Sequence, residues 1–405
     1  MKYFFPDSQD FVNPEFDFVS EKVTNGHVRQ RDDVYAHELL KRPYDGLLIS
    51  KAIVEGVPGR TNKTRYSDGQ KYRLFREGAH RFFRLNRDYE VMGDSGAFSY
   101  AEESAPPYSI DELIDFYVKA DVNQGVSLDH IVLGYRDERS RDKGSLPRDK
   151  ETRVEMTLEN ASVFLKQSKA QNFIPYGVAQ GWDVKSYVNS VVCLQKMGYE
   201  FITIGGVVTL DSNQICKLIG EINNYLARGT KLHLLGIGRP ELSKRLKSLG
   251  IFSIDSTTPL KQAFLNKTKN YRFGSETYSA IRVPQSSGNQ MVKRAISSGR
   301  IEQNLVHALE AEAMQALRDY DMEIRDIDST LACVLEYENL LMNHRNESYF
   351  QYKRTLEDKP WKKCHCAICK VLGIEVMIYR GSERNKRRGF HNLHDFYMHL
   401  SRSYQ

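Results

Sequence analysis

Three of the six cysteines in this 405-residue chain fall within six positions, in "CHCAICK" (364–370). Thiolates at this spacing, Cys364, Cys366 and Cys369, converge on one ion, and an imidazole from a later helix completes a tetrahedron. His391 is the expected fourth ligand, with His394 as the alternative and His365 also near. Such a closed set leaves no position for water, so the expected zinc is structural and the chemistry lies elsewhere. Two carboxylates are candidates for it. "MGDSGAFSY" sets Asp94 after an apolar run and before Ser95-Gly96, and "GIFSIDSTTP" sets Asp255 after another. A carboxylate pair can divide the work of nucleophile and general acid–base. Taken singly, either aspartate could equally cap a turn.

The elements that would carry these residues alternate. Strand-like runs are "DGLLISKAIV", "YEVMGD", "DHIVLG", "FIPYGVAQG", "YEFITIGG", "KLHLLGIG" and "IFSID". Between them lie helix-period stretches such as "SIDELIDFYVKA", "DVKSYVNSVVCLQKMG", "SNQICKLIGEINNYLA" and "PELSKRLKSLG". Strand then helix, repeated, means parallel strands with crossover helices. With an eighth strand expected within 54–88, the pattern favours an α/β fold of the TIM-type (β/α)8 kind over a doubly wound sheet. Asp94, Asp129, Gln180, Gly205, Gly206, Gly238 and Asp255 all fall at or near strand ends. Barrel enzymes assemble their sites there.

Beyond the barrel the period changes. Ile301, Leu305, Leu309, Ala313, Ala316 and Tyr320 predict one helix, and Ile327, Leu331 and Leu335 a second. The expected organisation is a barrel over 1–290, a helical insertion over 291–350 and a zinc subdomain over 351–405. Net charge is only +6, but 63–87 and 380–391 are strongly basic and interleaved with aromatics. That composition suits a phosphate backbone, or else a solvated basic surface. The start, "MKYFFPDSQD", lacks a signal-peptide core, no apolar run reaches membrane-span length, and Cys193, Cys216 and Cys333 are isolated. A cytoplasmic protein is expected.

Five short motifs, in order, resemble the queuine/archaeosine tRNA-guanine transglycosylase family, a zinc-bearing TIM barrel. Asp94-Ser95-Gly96-Ala97-Phe98 is similar to its Asp-Ser-Gly-Gly-aromatic stretch, and "GVAQG" to its Gly-x-x-Gln-Gly, with the glutamine at Gln180. Gly205-Gly206-Val207 is similar to its Gly-Gly-Leu loop, and Gly236-Ile237-Gly238 with "GIFSIDSTTP" to its nucleophile region. Cys364, Cys366, Cys369 and His391-Asn392 match its zinc motif. The resemblance implies a base-exchanging glycosyltransferase. Asp255 would attack the sugar C1′, Asp94 would be general acid and base, and Phe98 would stack on the base. Gln180 and the Gly205–Gly206 backbone would read its edge, together with Asp129 or, as the competing match, Asp137.

The chain also departs from that family. Pro259 is followed by Leu260-Lys261 where the tRNA enzymes carry Thr-Arg, and Ala97 replaces a glycine. These changes resemble the divergent DpdA-type branch, which places 7-deazaguanine bases in DNA. The implied partners are DNA, met by Arg384, Lys386, Arg387 and Arg388 among others, a free base (7-cyano-7-deazaguanine), and a helper protein. A tRNA enzyme with altered RNA recognition and a catalytically idle nucleic-acid binder are the alternatives.

Overall fold

The alternating runs close into a barrel. A computed structural model describes residues 1–59, 65–136, 148–342 and 348–402. The chain divides into two compact units, Met1–Gln9 with Tyr44–Thr257, and Asp10–Pro43 with Thr258–Ser401.

Among the described residues, eight strands of the first unit form the barrel: β1 (Lys2–Pro6), β2 (Gly46–Ser50), β3 (Glu90–Asp94), β4 (Gln124–Val126), β5 (Ile174–Ala179), β6 (Phe201–Ile204), β7 (Lys231–Leu234) and β8 (Ser253–Asp255). Every neighbouring pair is parallel, and β1 pairs with both β2 and β8, which closes the ring. Phe4, Leu48, Met92, Val126, Tyr176 and Val178 fill the interior. Burying a side chain of this kind stabilises the fold by roughly 1.5–3 kcal/mol.

The crossover helices begin where the sequence provides caps. The Ser109 side chain accepts from the Glu112 amide at the start of the helix Ile110–Ala120. Asp183 does the same for Val184–Met197, and Asp211 for Ser212–Asn223. Each cap satisfies amides that have no partner within the first turn.

Two strand expectations need correction. The eighth strand is Lys2–Pro6 and does not lie within 54–88, which instead carries the helix Asp68–Phe82. "KYFFP" has no amphipathic helix directly after it to mark it as part of the alternation. "DHIVLG" is the second case: β4 ends at Val126, and residues 127–136 are irregular but largely buried. Two of their amides turn to side chains, His130 N donating to Thr157 Oγ1 (3.0 Å) and Val132 N to Gln180 Oε1 (3.3 Å). A buried loop satisfied by side chains reads like a strand when only apolarity is counted.

In the second unit the expected helices are Gln303–Asp321 and Ile327–Met342. Val306, Ala313, Ala316, Leu317 and Tyr320 make the buried stripe of the first, and Leu305 is exposed, one step off it. The last helix, Gly381–Arg402, overturns the DNA-facing expectation for the basic segment. Arg384 is 1%, Arg387 5% and Arg388 0% exposed. Arg384 pairs with Glu21 and Glu375, Arg380 with Glu21 and Glu310, and Arg387 with Glu383. Arg388 donates to the carbonyls of Val376, Ile378 and Ala263. Lys386 donates to the Phe11 carbonyl and lies over the Phe11 ring. These guanidinium groups are internal cross-links, not a phosphate-binding face.

The other basic stretch turns most of its rings inward. Tyr66, Phe82 and Phe83 are buried, whereas Tyr72 is exposed, with Arg76 stacked on it. No helix among the described residues is long and apolar enough to cross a membrane.

Candidate active site

The C-terminal ends of β3 to β8 bring the expected polar residues to one mouth of the barrel. Asp94 is the last residue of β3, and Asp255 the last of β8. Asp129 follows β4 by three positions, Gln180 directly follows β5, and Gly205–Gly206 directly follow β6. Asp137 lies outside the described residues.

Local backbone geometry explains the Asp-Ser-Gly sequence. Gly96 has φ +86°, and its amide donates to Asp94 Oδ2 at 3.0 Å. A Cβ at Gly96 would collide with Ser50 Oγ and Ala52 Cβ, so only glycine allows this turn. Phe98 follows in a short 3-10 turn and is 58% exposed, available to stack on a flat ligand and not spent on the core.

Asp129 is held from two sides. Gln180 Nε2 donates to its Oδ2 at 2.8 Å and Ser95 Oγ to its Oδ1 at 3.2 Å. Tyr100 OH donates to Ser95 Oγ at 2.7 Å. The Gly205 and Gly206 backbone runs so close to the Gln180 amide that a Cβ at either position would overlap it. Gly206 also has φ +72°. Gln180 and the glycine pair are therefore one packed unit.

Two neighbouring carboxylates and desolvation act on the protonation of Asp94. Desolvation, reinforced by the negative charges of Asp129 and Asp255, pushes Asp94 up to about 8. Burial raises Asp129 to about 6, against the bonds from Gln180 and Ser95 that favour its charged form. Asp94 thus keeps its proton at neutral pH. Asp255 is buried, and its Oδ1 accepts from the Gly236 amide at 2.9 Å, with His233 Nε2 at 3.2 Å. A proton-holding acid and a hydrogen-bonded carboxylate at one mouth can serve acid–base and nucleophilic chemistry.

Sequence reading gave no role of their own to Ser95, Tyr100, His233 and Gly236. Ser95 and His233 stood inside quoted motifs, but nothing in their types separated them from barrel filling. Gly236 was visible as one of two glycines in "GIG", and it is the one that carries φ +74° and the amide on Asp255.

The cysteine cluster lies in the second unit. Among the described residues, Cys364, Cys366, Cys369 and His391 offer ligand atoms all within 4.8 Å of one another. His391 Nδ1 stands 3.5, 3.4 and 3.3 Å from the three sulfurs. A tetrahedral ion with bonds of about 2.3 Å to sulfur and about 2.0 Å to nitrogen needs separations of roughly 3.5 Å, so the set fits a metal. His391 Nε2 lies 2.6 Å from the Arg272 carbonyl, which fixes the tautomer that turns Nδ1 to the sulfurs. Tyr271 stacks on the His391 ring at 4.0 Å, and its hydroxyl is 3.2 Å from Cys369 Sγ. His391, and not His394, completes the cluster.

No family model matches the chain. Over 403 residues it is 46% identical to the DNA-guanine transglycosylase of Salmonella montevideo, covering 99% of this chain and 96% of that protein. Near-complete coverage at this identity extends through the barrel and the cysteine cluster alike, and the chain belongs to the guanine transglycosylase family, base-exchanging glycosyltransferases.

Proposed function

We propose that this protein exchanges guanine in DNA for a free 7-deazaguanine base, 7-cyano-7-deazaguanine, by double displacement on Asp255. The observation that carries the reading is the placement of Asp94 and Asp255 at the C-terminal ends of β3 and β8, with desolvation and the charges of Asp129 and Asp255 raising the Asp94 carboxyl to about 8. The proton goes from Asp94 to the departing guanine as an Asp255 oxygen bonds to C1′ and the C1′–base bond breaks. The incoming base then gives its proton to the Asp94 carboxylate and attacks C1′, and the bonding pair returns to Asp255. One glycosidic bond replaces another, so the exchange needs no redox or nucleotide cofactor, and the geometry parallels retaining glycoside hydrolysis.

Phe98 would stack on the base, while Gln180, Asp129 and the Gly205–Gly206 backbone would read its edge. DNA as the polymer rests on the name of the Salmonella relative and on the nucleophile region. Leu260, where the tRNA enzymes carry threonine, is buried and packs on Gly389, so it serves packing and not RNA contact. A base inside a duplex must be unstacked to reach such a site, which makes a helper protein part of the reading. The metal ligands Cys364, Cys366, Cys369 and His391 would hold zinc with no open position, a folding role.

Incorporation of labelled 7-cyano-7-deazaguanine, run with duplex DNA and with tRNA, with and without helper proteins, tests the proposal. Labelling of DNA is expected. Labelling of tRNA alone would replace it with the tRNA reading.

A further inference from the structure

His233 is fully buried in the barrel interior, where an ordinary packing residue would be apolar. It sits in β7, opposite Ser253 of β8. Its Nε2 is 3.2 Å from Asp255 Oδ1 and its Nδ1 is 2.8 Å from Ser253 Oγ. An ionised carboxylate only accepts, so Nε2 must carry the hydrogen that bridges to Asp255. The Nδ1 of a neutral ring then accepts from the Ser253 hydroxyl, which selects that tautomer. Phe4 and Tyr176 meet the ring edge-on, with centroids at 6.1 and 6.4 Å, and hold its plane.

The Gly236 amide reaches the same oxygen, Oδ1, at 2.9 Å. Gly236 takes φ +74°, and a Cβ there would stand 2.6 Å from Val208 Cγ2, so the backbone is built to present that amide. Both donors converge on one oxygen of the two.

From this we infer that His233 is a positioning residue for the nucleophile, acting with Gly236 to hold Oδ1 and to leave Oδ2 as the attacking oxygen. The inference rests on the reading of Asp255 as nucleophile. In the first half-reaction Oδ2 bonds to C1′ as the base leaves, and Oδ1 becomes the carbonyl oxygen of the ester. In the second half-reaction the C1′–Oδ2 bond breaks, its electron pair returns to the carboxylate, and His233 and Gly236 receive the charge that develops on Oδ1. That is the work of an oxyanion hole applied to a leaving carboxylate.

The test measures single-turnover formation and breakdown of the covalent protein–DNA adduct, together with KM for DNA, in H233L, H233Q, S253A and D255N. H233L should slow both adduct steps by about tenfold or more, the scale of a lost preorganised donor, with KM for DNA within about twofold. H233Q can offer an amide N–H near the Nε2 position and should recover most of the rate. S253A, which frees the tautomer, should cost about threefold. Folding is checked by thermal melting. A folded H233L with wild-type adduct rates overturns the inference, as does a folded H233Q no faster than H233L. Should H233L fail to fold, the decision passes to H233Q and S253A: wild-type rates in a folded S253A overturn it, and a loss there supports it. D255N separates the two levels. If D255N still forms adduct, the nucleophile reading itself fails; if D255N abolishes adduct and H233L does not slow it, only the role of His233 fails.

Discussion

The Gln180 side-chain amide donates to Asp129 Oδ2 across 2.8 Å, joining the loops that follow two neighbouring strands, β4 and β5. Asp129 is in turn one of the charges that raise Asp94. Residues proposed to recognise the base and the proposed acid are thus electrostatically linked.

That linkage has a pH signature. Asp94, raised to about 8, must be protonated to release guanine, so single-turnover release should fall above about pH 8. Removing the Asp129 charge with Asp129→Asn should move this alkaline limb to lower pH. A limb that stays in place or rises would show that Asp129 does not act on the titrating acid. The same shift bears on stability. Between pH 3.8, the ordinary value, and about 8 the folded chain holds a proton that the unfolded chain releases, so stability falls as pH rises through that window. Asp94→Asn removes the penalty, and its Tm should exceed that of wild type at pH 9 while its turnover drops by about 10²–10⁴-fold.

Gly205→Ala should act through Gln180. The new Cβ would overlap Gln180 Nε2 and push the amide off Asp129. Loss of a buried hydrogen bond of this kind costs about 1–3 kcal/mol, so the KM for the free base should rise by about tenfold or more. KM for DNA should change little. Equal effects on both would mean a general collapse of the mouth.

Metal analysis should find one zinc per chain. Cys366→Ser should lower Tm and solubility before it changes the chemistry of any folded fraction, because ligand binding energy at a closed site is folding energy. Wild-type stability without metal would contradict a structural role.

Glu21→Ala should destabilise the chain by about 3–5 kcal/mol, since it leaves the buried guanidinium groups of Arg380 and Arg384 short of their shared carboxylate. Burial opposes ionisation of Glu21, but bonds from Arg380 and Gln285 and the charges of Arg380 and Arg384 bring it down to about 2. Its contribution is therefore present above the ordinary value of 4.5 and is lost as pH falls toward 2. Thermal melts of wild type and variant should converge in acid. A constant gap from pH 7 to pH 2 would reject the assignment.

Several features were legible in the residue string because they depend on near neighbours. The cysteine spacing in "CHCAICK" and the turn after Asp94 are both decided within a few positions. Strand–helix alternation likewise pointed to the barrel and to its C-terminal mouth. What the tertiary structure alone decided depends on distant partners. Arg384 reads as a surface charge until Glu21, 363 residues away, is beside it. "DHIVLG" reads as a strand until Thr157 and Gln180 accept its amides in place of a ladder. His233 reads as barrel filling until β8 brings Asp255 and Ser253 to its two nitrogens. Residue type limits which bonds a side chain can form, and only the folded path of the chain supplies the partner that turns one of them into a function.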